Sequence, residues 1–148
     1  MLAIGSDHRG LALKTRLRQW LQLRGVGVCD VGAFSASPVD YPDIAIPAAE
    51  AVRDHLVDGA ILICGTGLGM AIAANKVPGV FAVTVTDVAT ACAARRSNNA
   101  QVLCLGSDNV PYDLATRIAE AWLASEFQGG DSLRKLAKIR AAERRYAR

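Results

Sequence analysis

Long apolar runs, paired thiols and aromatic side chains are what this 148-residue sequence has least of. No apolar stretch approaches the roughly 20 residues of a bilayer span, and Ser6, Asp7, His8 and Arg9 interrupt the first apolar run, so neither a membrane segment nor a secretory leader is expected. Two histidines, His8 and His55, and four dispersed cysteines with no Cys-x-x-Cys pair offer no metal-ligand spacing. Cys29 and Cys104 sit in apolar, strand-like runs and read as small buried thiols of a reduced, cytoplasmic protein. Aromatics make up only 5% of the chain. Residues 131–148 hold seven Lys or Arg against two acids, but they interleave with a single aromatic, Tyr146, so no nucleic-acid partner is expected. The net charge of +3 belongs to that basic tail, because ten basic and twelve acidic residues lie upstream. A Gly-Lys-Ser/Thr phosphate loop is absent. A dinucleotide fingerprint started at Gly65 fails because Met70 stands where its third glycine belongs.

What the chain does have is a regular alternation of strand and helix patterns. Leu2 to Gly5, Gly27 to Val31, the run ending at Cys64, Val80 to Val85 and Gln101 to Leu105 read as five strands. Between them, Leu13, Leu17, Trp20 and Leu21 form one helical stripe and Ala45, Ala49, Val52 and Leu56 another, with Asp43 as cap and Pro47 in the first turn. Further helices run from Met70 to Lys76, from about Val88 to Arg96, and from Pro111 with Leu114, Ile118, Ala121 and Trp122 inward. Apolar strands separated by amphipathic helices predict a doubly wound, five-stranded parallel sheet with helices on both faces, an α/β Rossmann-like fold. Length suits one domain over 1–148, with 131–148 a polar helical extension that reaches over the site or a partner subunit.

In such folds ligands bind beyond the carboxyl ends of the strands. That rule selects Asp7-His8-Arg9-Gly10 after the first strand, Cys64 to Gly69 after the third and Asp87 after the fourth. The third strand carries the strongest signal, since Ala60-Ile61-Leu62-Ile63 closes on a thiol and then on Gly65-Thr66-Gly67-Leu68-Gly69. Glycines let backbone N–H groups approach a ligand, and the helix start that follows favours a carboxylate, phosphate, enolate or thiolate. Thr66 supplies the loop's only hydroxyl. Each residue also has a plainer reading: Cys64 as one more buried thiol, His8 as a turn brace, Asp7 as a helix cap, His55 as a solvated helix position. A Cys64–His8 hydrolase pair is also compatible with the topology.

The order of Gly5-Ser6-Asp7-His8-Arg9-Gly10, Val39-Asp40-Tyr41-Pro42-Asp43, Leu62 to Met70 and Ala73-Ala74-Asn75-Lys76-Val77-Pro78-Gly79 resembles the type B ribose-5-phosphate isomerases and the related galactose-6-phosphate isomerases. The resemblance runs from residue 4 to about residue 130. It implies an aldose-ketose isomerase that works through an enediolate without metal or cofactor, as a homodimer or dimer of dimers with shared active sites. On that reading Cys64 is the base, Thr66 moves the hydroxyl proton, and the N–H groups of Gly65, Gly67 and Gly69 hold the enediolate. Asp7, His8 and Tyr41 line the sugar and, for His8, the phosphate, Asn98 reaches across the dimer, and Lys135 stands at a phosphate-binding position. The substrate is a sugar or sugar phosphate.

Three positions depart from the family pattern. Ser97 stands where the family has the histidine credited with ring opening, and Asp108 and Asp131 stand at two phosphate-binding arginines. Two substrate classes accommodate the changes: an unphosphorylated or differently charged sugar whose hydroxyls bond to the aspartates, or a short sugar phosphate such as a tetrose 4-phosphate, which cannot close a five-membered ring because its terminal oxygen is esterified. The alternative is a non-catalytic sugar-binding or partner subunit of a hetero-oligomeric isomerase.

Overall fold

A computed structural model describes residues 1–147; Arg148, the last residue of the basic extension, lies outside the described residues. Five strands run in parallel: β1 (Leu2–Ser6), β2 (Val28–Asp30), β3 (Gly59–Cys64), β4 (Ala82–Thr84) and β5 (Val102–Gly106), in the spatial order β2-β1-β3-β5-β4. Helices α1 (Leu11–Leu23), α2 (Pro42–Arg53), α3 (Leu68–Ala74), α4 (Val88–Arg96), α5 (Tyr112–Ala124) and α6 (Asp131–Tyr146) complete the chain. The fold is the doubly wound α/β sheet that the alternating pattern predicts.

Side chains alternate across each strand, so the sheet has two different faces. Leu2, Ile4, Ile61, Ile63, Leu103 and Leu105 fill one layer with α1, α4 and α5, whereas Ala3, Ala60, Leu62, Cys64, Val102 and Cys104 fill the other with α2 and α3. Ala45, Ala48 and Ala49 keep the second layer thin. The alternation therefore fixes the direction of Cys64: its side chain leaves β3 toward α2 and α3. The three central strands are buried throughout, because neighbours cover both their edges and both their faces.

The edges and helix ends depart from the sequence reading. Cys29 is exposed, since β2 is a three-residue edge strand whose outer side no element covers. Pro42, preceded by Tyr41, opens α2, which places Pro47 inside the helix and leaves the Asp43 carbonyl without its helical donor. Leu56 lies beyond the helix and is exposed, and His55 follows the helix with φ of 57° instead of lying on its face. Asp87 caps α4, accepting from Thr90 N–H at 2.7 Å, and that bond holds its carboxyl below the usual aspartate range. No helix among the described residues is long and apolar enough to cross a membrane.

Candidate active site

The chain leaves β1 toward β2 through α1 on one face, and leaves β3 toward β4 through α3 on the other. Because β1 and β3 are adjacent, their carboxyl ends diverge into opposite layers and open the crevice where α/β sheets bind ligands. Asp7 and His8 reach it from β1, and Cys64 to Gly69 from β3. Asp7 N–H donates to Ile63 O at 3.2 Å, which ties the two loops together.

Cys64 is buried, and Gly67 N–H points at its sulfur at 3.2 Å. A donor aimed at Sγ stabilises negative charge there. Gly67 adopts φ of 78°, and a Cβ on it would lie 2.8 Å from the Leu105 carbonyl carbon, so glycine is required on both counts. The loop is braced from β4, where Thr84 Oγ1 donates to Gly67 O at 2.8 Å. Thr66 is exposed and its Oγ1 accepts from Leu68 N–H at 3.3 Å, leaving the hydroxyl hydrogen free to serve a ligand. With the Gly67 and Leu68 N–H groups engaged inside the loop, those of Gly69 and Met70 remain as the first-turn donors without intrahelical acceptors. The second buried thiol, Cys104, is held high by complete burial and stays neutral.

The space above the loop is filled by two side chains. The Tyr41 ring lies 2.5 Å from where a Gly69 Cβ would be, and the Arg9 guanidinium occupies the corresponding place over Gly65. Arg9 is ion-paired to Asp108, whose own N–H donates to Gly65 O at 2.9 Å. Asp7 Oδ1 accepts from Arg9 N–H and Gly10 N–H, both at 3.0 Å, and thereby shapes the turn into α1. His8 Nδ1 is held by the Val39 main chain, 3.1 Å from its N and 3.3 Å from its O, which orients the ring and leaves Nε2 without a protein partner among the described residues. These partners bring Asp7, His8, Tyr41, Cys64, Gly65, Thr66, Gly67 and Gly69 together. Thr84 joins them, unmarked by any local motif because it acts on a residue remote in sequence, and Arg9, selected with the loop after β1, joins them through its pairing with Asp108.

Asn98 and Lys135 are not part of that group. Asn98 follows α4 and precedes β5, at the opposite end of the sheet from Cys64, and is exposed. The extension lies at that same end, with Gln128 N–H on Arg96 O at 3.1 Å and Gly79 N–H on Glu143 Oε1 at 2.8 Å. Lys135 is exposed on it. Asp131 opens α6, where its charge complements the helix dipole, and Arg134 lies 3.9 Å away.

A model of the ribose/galactose isomerase family matches residues 2–139. The chain belongs to that family. It is 42% identical over 144 residues to ribose-5-phosphate isomerase B of Escherichia coli K12, with 97% of each chain covered. It is 43% identical over 142 residues to D-erythrulose-4-phosphate isomerase of Pectobacterium atrosepticum, with 93% of this chain and 91% of that one covered. Among solved structures, ribose-5-phosphate isomerase B of Clostridium thermocellum superimposes with a TM-score of 0.97 at 44% identity, covering 99% of both chains. Near-equal identity to proteins named for different substrates means that overall similarity does not choose between them. The residues of the crevice must.

Proposed function

We propose that this sugar isomerase interconverts a tetrulose 4-phosphate and its aldose through an enediolate, with Cys64 as the base. The observation that carries this reading is the buried Cys64 sulfur, 3.2 Å from Gly67 N–H, in the crevice that also receives Asp7, His8 and Tyr41. In the aldose-to-ketose direction the thiolate takes the proton from C2 and returns it to C1. Thr66 Oγ1 carries the proton between the two oxygens, and loop N–H groups stabilise the developing charge. His8, held through Nδ1 by the Val39 main chain, offers its Nε2 to an oxygen or phosphate of the ligand.

Two features favour a four-carbon substrate. Ser97 offers no imidazole for ring opening, and a tetrose 4-phosphate has no free terminal hydroxyl with which to form a five-membered ring. The relative from Pectobacterium, at 43% identity, bears a tetrulose phosphate name. Turnover of a panel of phosphorylated and free aldoses and ketoses tests the assignment. A kcat/KM for tetrulose 4-phosphate at least tenfold above that for ribose 5-phosphate is the expected result; efficient turnover of ribose 5-phosphate, or of free sugars alone, defeats it.

We also infer that the working unit is a homodimer with each site shared. Asn98 and Lys135 lie at the far end of the sheet from Cys64, so they serve a site only if it belongs to a second copy. Exposed Leu68 and Ile72 on α3, and Leu133 and Ile139 on α6, provide apolar surface for such a contact. Separately inactive Cys64→Ala and Asn98→Ala proteins, mixed and allowed to exchange subunits, should regain about a quarter of wild-type turnover, since half the dimers then hold one intact site. No recovery after exchange, confirmed by mass spectrometry of the mixed species, counts against sharing.

A further inference from the structure

Asp108 looks from sequence like a liability for a phosphorylated ligand, because a lone carboxylate would repel the dianion. In the structure it is not alone. Its partner is Arg9, 99 residues away, whose guanidinium lies over Gly65, the residue that follows the thiol. The main chain is fixed as well: Ser107 Oγ donates to Arg9 O at 3.1 Å, Ser107 N–H to Cys64 O at 2.9 Å, and Asp108 N–H to Gly65 O at 2.9 Å. Three segments, after β1, β3 and β5, therefore meet to place one cation beside the catalytic loop.

This arrangement does little for the fold. Both charged side chains stay about half exposed, 53% for Arg9 and 49% for Asp108, where solvent screens an ion pair. Nor does the aspartate exhaust the arginine, since a guanidinium carries five N–H donors and one Nη donates to Asp108. A half-exposed guanidinium held by one Nη keeps further N–H donors with which to grip a phosphate.

We propose that Arg9 binds the substrate phosphate, that Asp108 is the positioning residue that aims its guanidinium, and that this pair sets the length of sugar accepted. The inference rests on the tetrulose phosphate reading. The cation is anchored over the residue next to Cys64, so a phosphate it holds is only a short sugar chain away from the carbon that Cys64 deprotonates. Each added carbon would push the reacting carbon off the thiol.

Steady-state kinetics with tetrulose 4-phosphate and ribose 5-phosphate, together with competitive inhibition by inorganic phosphate, test it. Arg9→Ala should raise KM for tetrulose 4-phosphate, and Ki for phosphate, by roughly 10- to 100-fold while kcat changes much less. Arg9→Lys should recover part of the loss, and circular dichroism should show both variants folded. Asp108→Asn should raise KM by about threefold to tenfold, with Asp108→Glu closer to wild type, because the asparagine no longer fixes the cation by charge. The preference for the four-carbon substrate should narrow in both Arg9→Ala and Asp108→Asn. An Arg9→Ala protein whose KM and phosphate Ki are unchanged, in an enzyme whose wild type turns over tetrulose 4-phosphate, overturns the role of Arg9 and leaves the substrate standing. A wild-type protein that accepts no sugar phosphate removes the substrate assignment itself.

Discussion

Replacing Cys64 with alanine should lower isomerase turnover by about three orders of magnitude, the loss typical of removing a positioned proton-transfer base, while the protein remains folded. The expectation rests on a comparison of two thiols within the same layer. Cys64 and Cys104 both face α2 and α3 and both are buried, but their surroundings differ in kind. Cys104 lies within β5, enclosed on all sides, and burial pushes its thiol up and out of the range where it could act as a base. Cys64 ends its strand at the crevice, and Gly67 N–H meets its sulfur. Cys104→Ala should therefore leave kcat within about twofold of wild type, whereas Cys64→Ser should remain strongly impaired, because an alkoxide is far harder to form than a thiolate. Deuterium uptake from solvent into product, followed by NMR, separates loss of proton transfer from loss of binding. A Cys64→Ala protein that still exchanges the C2 proton at the wild-type rate would exclude the thiol as base.

How much of this was readable beforehand depends on the distance over which each feature is encoded. The central strands, the amphipathic helices and the thiol loop are local: an apolar run, a period of 3.6 and glycines at fixed spacing all fall within a dozen residues. The carboxyl-end rule then carries Asp7, His8 and Cys64 to one crevice without knowledge of any contact. Cys29 shows where local reading stops, since its apolar neighbours cannot reveal that β2 is a sheet edge with one side uncovered. Asp108 shows the same in the site. By itself it argues against phosphate; paired with Arg9 across 99 residues it becomes the brace of a cation. The placement of β5 between β3 and β4 is likewise tertiary, and it is what brings the Asp108 loop next to Cys64.

Lys14→Met should destabilise the fold by about 3 kcal/mol, the lower end of the range for breaking a buried ion pair. Lys14 is 1% exposed, and its Nζ donates to Asp30 Oδ1 at 2.9 Å and to the Ala33 carbonyl. Methionine fills similar volume but leaves the largely buried Asp30 carboxylate with Arg18, at 2.9 Å, and Gly32 N–H as its remaining partners. Arg18 is what keeps the cost near 3 kcal/mol instead of higher. In a chain of this size that corresponds to a fall in Tm of roughly 6–12 °C. The effect should also reach the site, because the segment that Lys14 anchors at Ala33 runs on to Val39, which orients His8, and to Tyr41, which covers Gly69. KM should rise even well below the melting temperature, with kcat less affected, since Cys64 and Thr66 are held from β3 and β4. Adding Asp30→Asn to Lys14→Met should restore part of the stability by removing the under-paired charge. Urea titration of the single and double variants measures both steps; a Lys14→Met protein within 1 kcal/mol of wild type would mean that Arg18 alone satisfies Asp30 and that the lysine is not what holds the loop.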